Sequence, residues 1–143
     1  MFTNFRKYCE KKIDVRNTIL KPKKLNDDNL LLNDYKLPTL SQLGLNDFEL
    51  DPRSAFKFSG GSESAKERLD FYLWKSKKVN FYKKTRNGLI GLDYSSKFSS
   101  WLSNGSISAR EIYWQIKDYE KDILKNQSTY WLVFELILSL IHI

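Results

Sequence analysis

A helix-capping box begins the most regular stretch of this sequence. Ser108 is followed three residues later by Glu111, the spacing at which a serine and a glutamate satisfy each other's free backbone amides at a helix start. Apolar residues then recur at intervals of four, three and four along one face, namely at Ile112, Ile116, Tyr119 and Ile123. The pattern predicts an amphipathic helix that runs from Ser108 to about Lys125.

The N-terminal half contains two further helix signals, separated by a long irregular stretch. Thr3 is predicted to cap a short polar helix over residues 3–12. Pro22, Pro38 and the Asn and Asp clusters of residues 26–34 then indicate a connector of some forty residues without regular structure. After the glycine pair at 60–61, Ser62 is predicted to cap a helix that ends near residue 74. Its buried face is predicted to consist of Ala65, Leu69, Tyr72 and Leu73.

The C-terminal half adds short helices and one long apolar one. Residues 78–84 are expected to form a helical turn or two, ending at an Asn87–Gly88 pair that favours a turn with positive φ. After a loop, Ser95, Ser96 and Ser99 precede or open a short helix with Trp101 and Leu102, and Gly105 is expected to end it in the left-handed conformation. Ser128 or Thr129 is predicted to cap the last helix. No strand-like alternation occurs, so the chain is predicted to be mainly α.

Composition excludes several classes of protein. A single cysteine, Cys9, cannot form an internal disulfide, and one Cys with one His offers no plausible zinc set. Charged residues interrupt the start of the chain, so no signal peptide is expected, and a location in the cytoplasm or in a eukaryotic organelle follows. The longest apolar run, residues 131–143, contains Glu135 and is too short to cross a bilayer as a helix.

Positive charge is concentrated in particular segments. The formal net charge is +7, and residues 75–86 carry six basic residues and no acidic one. Such a surface attracts nucleic acid, phosphates or anionic lipid alike, although a run of charge is usually a solvated face. Aromatic residues lie among these bases at Trp74, Phe81 and Tyr82, an arrangement that fits stacking on single-stranded nucleic acid.

Residues 85–110, TRNGLIGLDYSSKFSSWLSNGSISAR, form the segment best suited to bind an anion. Serine hydroxyls, the backbone amides of a helix start and Lys97 would give a phosphate oxygen several donors. On physical grounds alone, a serine-rich helix cap beside an exposed lysine is the simpler interpretation. The segment contains neither a Walker loop nor a G-x-G-x-x-G dinucleotide motif.

The same segment resembles the flavin-phosphate loop of the photolyase and cryptochrome family, and of its DASH members in particular. Four other blocks resemble the family in the same order along the chain. They are FTNFRK at 2–7, LPTLSQLGL at 37–45, FKFSGGSESAKERL at 56–69 and KNQSTYWLVFELI at 125–137. Five blocks in order are far more specific than any one of them, so the chain is interpreted as an internal fragment of such a protein.

The resemblance implies a fold class, a cofactor and a substrate. In this family an antenna domain precedes an all-helical domain that binds FAD, and blue light drives electron transfer from the reduced flavin to cyclobutane pyrimidine dimers in DNA, single-stranded DNA for DASH members. This chain would then be part of the all-helical FAD-binding domain, preceded by an irregular interdomain connector. An antenna chromophore such as a folate would belong to the N-terminal domain, and the parent would be a monomer without membrane attachment.

The resemblance also assigns roles to individual residues. It implies that Ser95, Ser96, Lys97, Phe98 and Ser99 hold the FAD phosphates, together with Tyr82 upstream. It implies that Glu135 faces the damaged bases, where a carboxyl group can hydrogen-bond the dimer and stabilise developing charge. Without the resemblance, a solvent-facing role for Glu135 would be the simpler interpretation.

The resemblance also predicts domain boundaries, with differences at particular positions. Residues 1–50 are expected to form the interdomain connector and residues 51–137 the N-terminal part of the FAD-binding domain. Ser100 and Ala109 stand where relatives usually carry proline. Residues 138–143, LSLIHI, resemble the translation of a sequencing-library adapter and are expected to be non-native sequence.

Three functions are consistent with these features. The leading one is a deoxyribodipyrimidine photolyase in the full-length parent, with the fragment itself inactive. The second is a sensory cryptochrome with the same flavin site and no repair activity. The third, which sets the resemblance aside, is a small basic helical module that binds nucleic acid in a salt-dependent manner.

Overall fold

The computed structural model describes residues 2–26, 28, 36–46 and 49–141, and these residues form helices without any strand, as the sequence predicts. The α-helices are α1 (Phe2–Lys12), α2 (Ser62–Asp70), α3 (Tyr82–Thr85), α4 (Ser99–Ser103), α5 (Ala109–Asp122) and α6 (Gln127–Ile141). Helix α2 continues as a π-helical turn over Phe71–Lys75, and 3₁₀ turns cover Ser41–Leu43 and Lys78–Phe81. None of the described helices combines the length and hydropathy that a bilayer crossing requires.

The chain divides into two units. One consists of Met1–Thr18 and Ala55–Ile143, and the other of Ile19–Ser54. In the second unit the Ser41–Leu43 turn is held by exchanged bonds, because the Thr39 amide donates to Gln42 Oε1 at 2.9 Å and the Gln42 amide donates to Thr39 Oγ1 at 3.3 Å. The predicted connector therefore contains one short regular turn, while most of its Asn and Asp cluster lies outside the described residues. The predicted boundaries at residues 50 and 137 stay predictions.

The core of the larger unit forms where α2, its π-helical turn, α5 and α6 meet. The predicted face of α2 is buried, with Ala65, Leu69, Tyr72 and Leu73 each no more than 4% exposed. On α5, the predicted residues Ile112, Ile116 and Tyr119 are fully buried. Ile123 is an exception, because α5 ends at Asp122 rather than near Lys125, and Ile123 leaves the helical conformation with 47% of its surface exposed.

Helix caps agree with the sequence at one site and differ at others. Ser108 caps α5 as predicted, since its hydroxyl accepts the Glu111 amide at 3.0 Å. The predicted cap of α6 by Ser128 or Thr129 is wrong, because Asn126 Oδ1 accepts both of their amides, at 2.8 and 3.1 Å. The Ser128 hydroxyl instead accepts the Lys83 amide at 3.1 Å and ties α6 to α3.

Two further predicted caps are displaced by one residue or more. Helix α1 already includes Phe2, so Thr3 lies inside the helix rather than at its cap. At α2 the capping position is Gly61, with a φ of +90° and no side-chain bond to the helix, and Ser62 is the first helical residue. A glycine suits this position because a left-handed backbone conformation is disfavoured for other residues.

The turn after α3 also differs from its prediction. The expected positive φ occurs at neither Asn87 nor Gly88 but at Gly91, whose φ is +90°. Gly88 is required for another reason, since an added Cβ would lie 3.1 Å from both the Thr85 carbonyl oxygen and Tyr94 Cβ. Gly105 ends α4 in the left-handed conformation as predicted, with a φ of +76°.

Helix α1 contacts α6 within the larger unit, and the segment after α1 contacts α5. The Tyr130 hydroxyl donates to Glu10 Oε1 at 2.8 Å, and the Phe2 and Phe134 rings meet edge to face at 5.4 Å. After α1, the Trp114 indole donates to the Arg16 carbonyl at 3.0 Å. These contacts join residues almost one hundred positions or more apart and fix the start of the chain to its C-terminal helices.

Candidate functional site

One pocket of about 370 Å³ is lined by all seven of the residues predicted for the flavin and substrate site. It lies where the start of α3, the 95–98 segment, the start of α4 and the face of α6 meet. The predicted residues around it are Tyr82, Ser95, Ser96, Lys97, Phe98, Ser99 and Glu135, and the remaining lining residues are Arg86, Leu102, Leu132 and Leu136. The fold therefore brings together side chains that are up to 53 residues apart in sequence.

Three serine hydroxyls form the polar side of this pocket. Within the described part of the chain, no protein group hydrogen-bonds the hydroxyl of Ser95, Ser96 or Ser99. Ser96 as a whole residue is largely buried, with 8% of its surface exposed. The arrangement leaves three donors available to a group that enters the pocket.

Lys97, which lies between these serines, adopts a left-handed backbone conformation. Lys97 has a φ of +65°, a conformation that costs a non-glycine residue free energy, and Phe98 follows in the right-handed region. When a left-handed backbone conformation is followed by a right-handed one, successive backbone amides point toward one concave side, as in anion-binding nests. The Phe98 side chain is buried beneath the turn, 6.1 Å from the Tyr72 ring, which holds the segment in place.

The Lys97 ammonium group also lies close to an aromatic neighbour. It donates to the Tyr94 hydroxyl and stands 3.7 Å from the centroid of the same ring. A cation held against a ring face is stabilised by the ring quadrupole. Lys97 is therefore anchored at the rim of the pocket while its charge remains available to an anion.

Glu135 occupies the opposite side of the pocket, where it forms an ion pair with Arg86. The Arg86 guanidinium also stacks over the Trp131 ring at 4.7 Å. Burial, reinforced by the Glu135 charge, raises the pKa of Tyr82 to about 12, so this hydroxyl stays neutral at physiological pH. With Lys97 and Arg86 positive and Glu135 negative, the lining carries a formal charge of +1.

Two arginines at this site were not predicted from the sequence. Arg86 lies in the basic run of residues 75–86, where nothing distinguishes it from the neighbouring lysines, and only the fold places it opposite Glu135. Arg68 lies on α2 and donates hydrogen bonds to the segment that carries the serines. Its partners are 24 to 28 residues away in sequence, so no local spacing indicates them.

Comparison with known proteins identifies relatives of this chain. No protein-family model matches the chain. It is 47% identical over 137 residues to the cryptochrome DASH of Xenopus laevis and 42% identical over 137 residues to that of Gloeobacter violaceus, covering 96% of this chain in both cases. A relative from Solanum lycopersicum, also 42% identical, is named a chloroplastic or mitochondrial cryptochrome DASH.

A solved structure supports the same relationship. The chain is similar to a cryptochrome of Synechocystis, with a TM-score of 0.85 and 40% sequence identity over 97% of this chain and 29% of that one. The chain spans about a quarter of the length of the curated relatives that it matches, 26% and 27% for the first two. On sequence and on structure, the chain belongs to the photolyase and cryptochrome family, and the relatives it matches are DASH cryptochromes.

Proposed function

We propose that this pocket holds the phosphates of FAD. The observation that supports the proposal is the convergence of three unengaged serine hydroxyls with the cationic Lys97 and Arg86 around one cavity. Hydrogen bonds to a charged phosphate are among the strongest that a protein makes, and hydroxyls and ammonium groups are suitable donors. Membership of a family of flavoproteins makes FAD the dinucleotide to test first.

The size of the pocket indicates which part of FAD it would hold. Sites for complete small molecules enclose roughly 300–1,000 Å³, and the volume of about 370 Å³ lies near the lower end of that range. Leu102, Leu132 and Leu136 add an apolar wall on one side. We therefore assign the diphosphate to this chain and the walls around the isoalloxazine and adenine rings to other parts of the parent protein.

We further propose that Glu135 serves the substrate in the parent protein. A bound, reduced flavin supplies an electron when blue light excites it. A carboxyl group at the edge of the same pocket is suited to hydrogen-bond a pyrimidine dimer in single-stranded DNA and to stabilise charge that develops on it. Arg86 holds Glu135 in position through their ion pair and keeps the negative carboxylate from repelling the phosphates.

A chimera provides the experiment. In the DASH chimera, residues 1–137 of this chain replace the matching segment of the Xenopus laevis cryptochrome DASH, a substitution guided by 47% identity over 137 residues. We expect it to bind FAD much more tightly than riboflavin, which lacks phosphates, with both affinities measured by quenching of flavin fluorescence. Equal affinities for the two flavins would contradict a phosphate-binding role.

Repair and signalling are distinguished in the same chimera. Under blue light, a repair enzyme restores intact pyrimidines in single-stranded DNA that carries cyclobutane dimers, and we expect Glu135→Gln to slow this reaction without changing FAD affinity. Glu63→Gln, at an exposed position in the first turn of α2, serves as the matched control. Light-dependent flavin reduction without repair would instead favour a sensory cryptochrome.

A second candidate function rests on a different surface. Phe81 is 56% exposed and stands three residues from each of the exposed lysines Lys78 and Lys84, so the three side chains fall on successive turns. Exposed aromatics among lysines bind single-stranded nucleic acid by stacking and by phosphate contacts. If this were the main function, the chain alone would bind single-stranded DNA with a steep salt dependence and with no effect of FAD.

A further inference from the structure

Arg68 contacts the serine segment without lining the pocket. Its side chain is 2% exposed and forms an ion pair with Asp93 at 2.7 Å between Nη1 and Oδ1. Nε donates to the Ser96 carbonyl at 3.1 Å, and Nη2 donates to the carbonyls of Leu92 and Ser95 at 3.1 and 3.0 Å. One guanidinium group thus binds four positions within a stretch of five residues.

Aromatic rings surround this guanidinium group and fix it further. The Arg68 guanidinium carbon lies 4.9 Å from the ring centroid of Phe58 and 5.1 Å from that of Tyr72. A planar guanidinium stacks on rings and forms several hydrogen bonds in fixed directions, which a lysine cannot reproduce. The geometry therefore requires an arginine at this position rather than any positive charge.

By binding the carbonyl oxygens of Ser95 and Ser96, Arg68 determines which polar groups of the segment remain free to contact a ligand. Ser95 and Ser96 line the pocket, whereas Arg68 does not, so their carbonyl oxygens are engaged outside the cavity. A carbonyl oxygen carries partial negative charge and would repel a phosphate, whereas hydroxyls and amides attract one. With these carbonyl oxygens bound to Arg68, the hydroxyls and amides of the segment remain available to the ligand.

We propose that Arg68 is a positioning residue that pre-organises residues 92–96, and with them the strained turn at Lys97, for phosphate binding. This inference rests on the proposed FAD-phosphate function. Arg68 touches no ligand itself, and its effect on affinity is exerted through the serines. A pre-organised loop loses less conformational entropy when its ligand binds, so removal of the arginine should weaken binding even where the fold survives.

Arg68→Lys in the DASH chimera tests the inference. We expect FAD affinity to fall by about ten-fold to a hundred-fold, the range seen when a residue that supports a metal ligand from behind is replaced. Asp93→Asn, at a less buried position, is a second variant with less risk to folding, and a smaller loss is expected. Arg53→Lys is the matched control, because it alters an exposed Arg–Asp pair and should leave FAD affinity unchanged.

A double-mutant cycle separates positioning from general stability. If Arg68 acts through the hydroxyls, Arg68→Lys should weaken FAD binding by less than about three-fold once Ser96 and Ser99 are already alanine, because coupled residues are not additive. The same loss in both backgrounds, or no loss in either, would overturn the inference.

Hydrogen exchange of the flavin-free chimera tests, without any ligand, whether Arg68 holds the serine segment in place. We expect Arg68→Lys to accelerate exchange of the amides of residues 92–99 by about ten-fold while those of α5 are unchanged, since local opening is governed by local contacts. Unchanged exchange at residues 92–99 would overturn the inference. If the unmodified chimera failed to bind FAD, the proposed function would fall, and this exchange measurement would still decide whether Arg68 holds the segment.

Discussion

Ser96 and Ser99 are the residues whose chemistry the proposed function uses most directly. Each hydroxyl lines the pocket without a protein partner. A hydrogen bond to a charged group contributes roughly 1.5–3 kcal/mol, so replacing both by alanine should weaken FAD binding in the DASH chimera by about two orders of magnitude or more. Fluorescence titration with FAD measures the loss.

Ser103 provides the control for this pair. Its hydroxyl donates to the Ser100 carbonyl at 2.8 Å on the exposed side of α4, away from the pocket lining. Ser103→Ala should leave FAD affinity unchanged. A loss with Ser103→Ala and none with the double substitution would require the phosphate assignment to be withdrawn.

Tyr82 gives the pocket a predicted pH dependence. Burial raises the pKa of Tyr82 to about 12, above its usual value of 10, so the folded protein holds this proton when the unfolded chain has lost it. Stability is therefore fully present below pH 10 and falls as the pH rises from 10 through 12, by up to about 2–3 kcal/mol.

Tyr82→Phe in the DASH chimera tests whether Tyr82 causes this loss of stability at high pH. We expect the variant to lose less stability than the unmodified chimera between pH 9 and 11.5 in urea titrations followed by circular dichroism. Tyr8→Phe, at a position 62% exposed, is the matched control and should leave the slope unchanged. Identical slopes for Tyr82→Phe and the unmodified chimera would contradict the assigned burial.

Among the helices, α6 begins at a cap in which Asn126, rather than the predicted Ser128 or Thr129, accepts the free helix amides. Asn126 accepts the amides of Ser128 and Thr129 and donates from Nδ2 to the Asn80 carbonyl at 3.1 Å. Loss of a cap costs about 0.5–2 kcal/mol, and the loss of the bond to the partly buried Asn80 carbonyl adds to that. We expect Asn126→Ala to destabilise the chimera by about 2 kcal/mol in urea unfolding.

Asn87→Ala is the control for this substitution. Asn87 is exposed, and within the described residues it makes no side-chain hydrogen bond. It should change the unfolding free energy by less than about 0.5 kcal/mol, as surface substitutions usually do. Equal effects of the two alanine substitutions would show that Asn126 is not the cap.

The helices show which structural features can be predicted from sequence patterns and which cannot. The cap at Ser108 and the buried face of α2 follow local spacing, and the structure confirms both, although the Glu111 side chain does not return a bond to the Ser108 amide. Caps proved less predictable, because Ser128 and Asn126 both favour capping and tertiary contacts decide between them. Ser128 bonds to α3 instead, a contact 45 residues away.

The residues of the site divide in the same way, into those that are neighbours in sequence and those that only the fold brings close. Its serines and lysine are contiguous, so a motif identifies them. Only the fold brings Arg86 to the pocket and Arg68 to the segment that carries the serines, with partners 24 to 49 residues away. No rule of local spacing connects such residues, and physical reasoning from one sequence therefore misses them.

At the scale of the whole molecule, several large apolar side chains are exposed in the described part of the chain. Leu89 and Ile90 are 85% and 94% exposed in the loop after α3, and Leu37 is 92% exposed in the smaller unit. Large exposed apolar groups mark contact surfaces or promote aggregation. We therefore expect the isolated chain to aggregate or to melt broadly without cooperativity.

Calorimetry and gel filtration of the isolated chain check this expectation. Leu89→Ser with Ile90→Ser should raise its solubility, whereas Ser103→Ala should not. A sharp two-state transition from a monomer would show that the core closes within this segment alone.

The isolated chain should also bind FAD weakly or not at all. On the proposed function, its pocket of about 370 Å³ would hold the phosphates, and the walls around both ring systems would belong to other parts of the parent protein. Equilibrium dialysis should give at most millimolar affinity. Stoichiometric yellow flavin retained through gel filtration would show that this chain contains a complete site.

A crystal structure of the DASH chimera with bound FAD would locate the diphosphate. The proposed phosphate binding requires phosphate oxygens within hydrogen-bond distance, about 2.7–3.2 Å, of the Ser96 and Ser99 hydroxyls, with Arg68 still bound to the carbonyls of Ser95 and Ser96. A diphosphate seated elsewhere, with these serines facing solvent or protein, would contradict it.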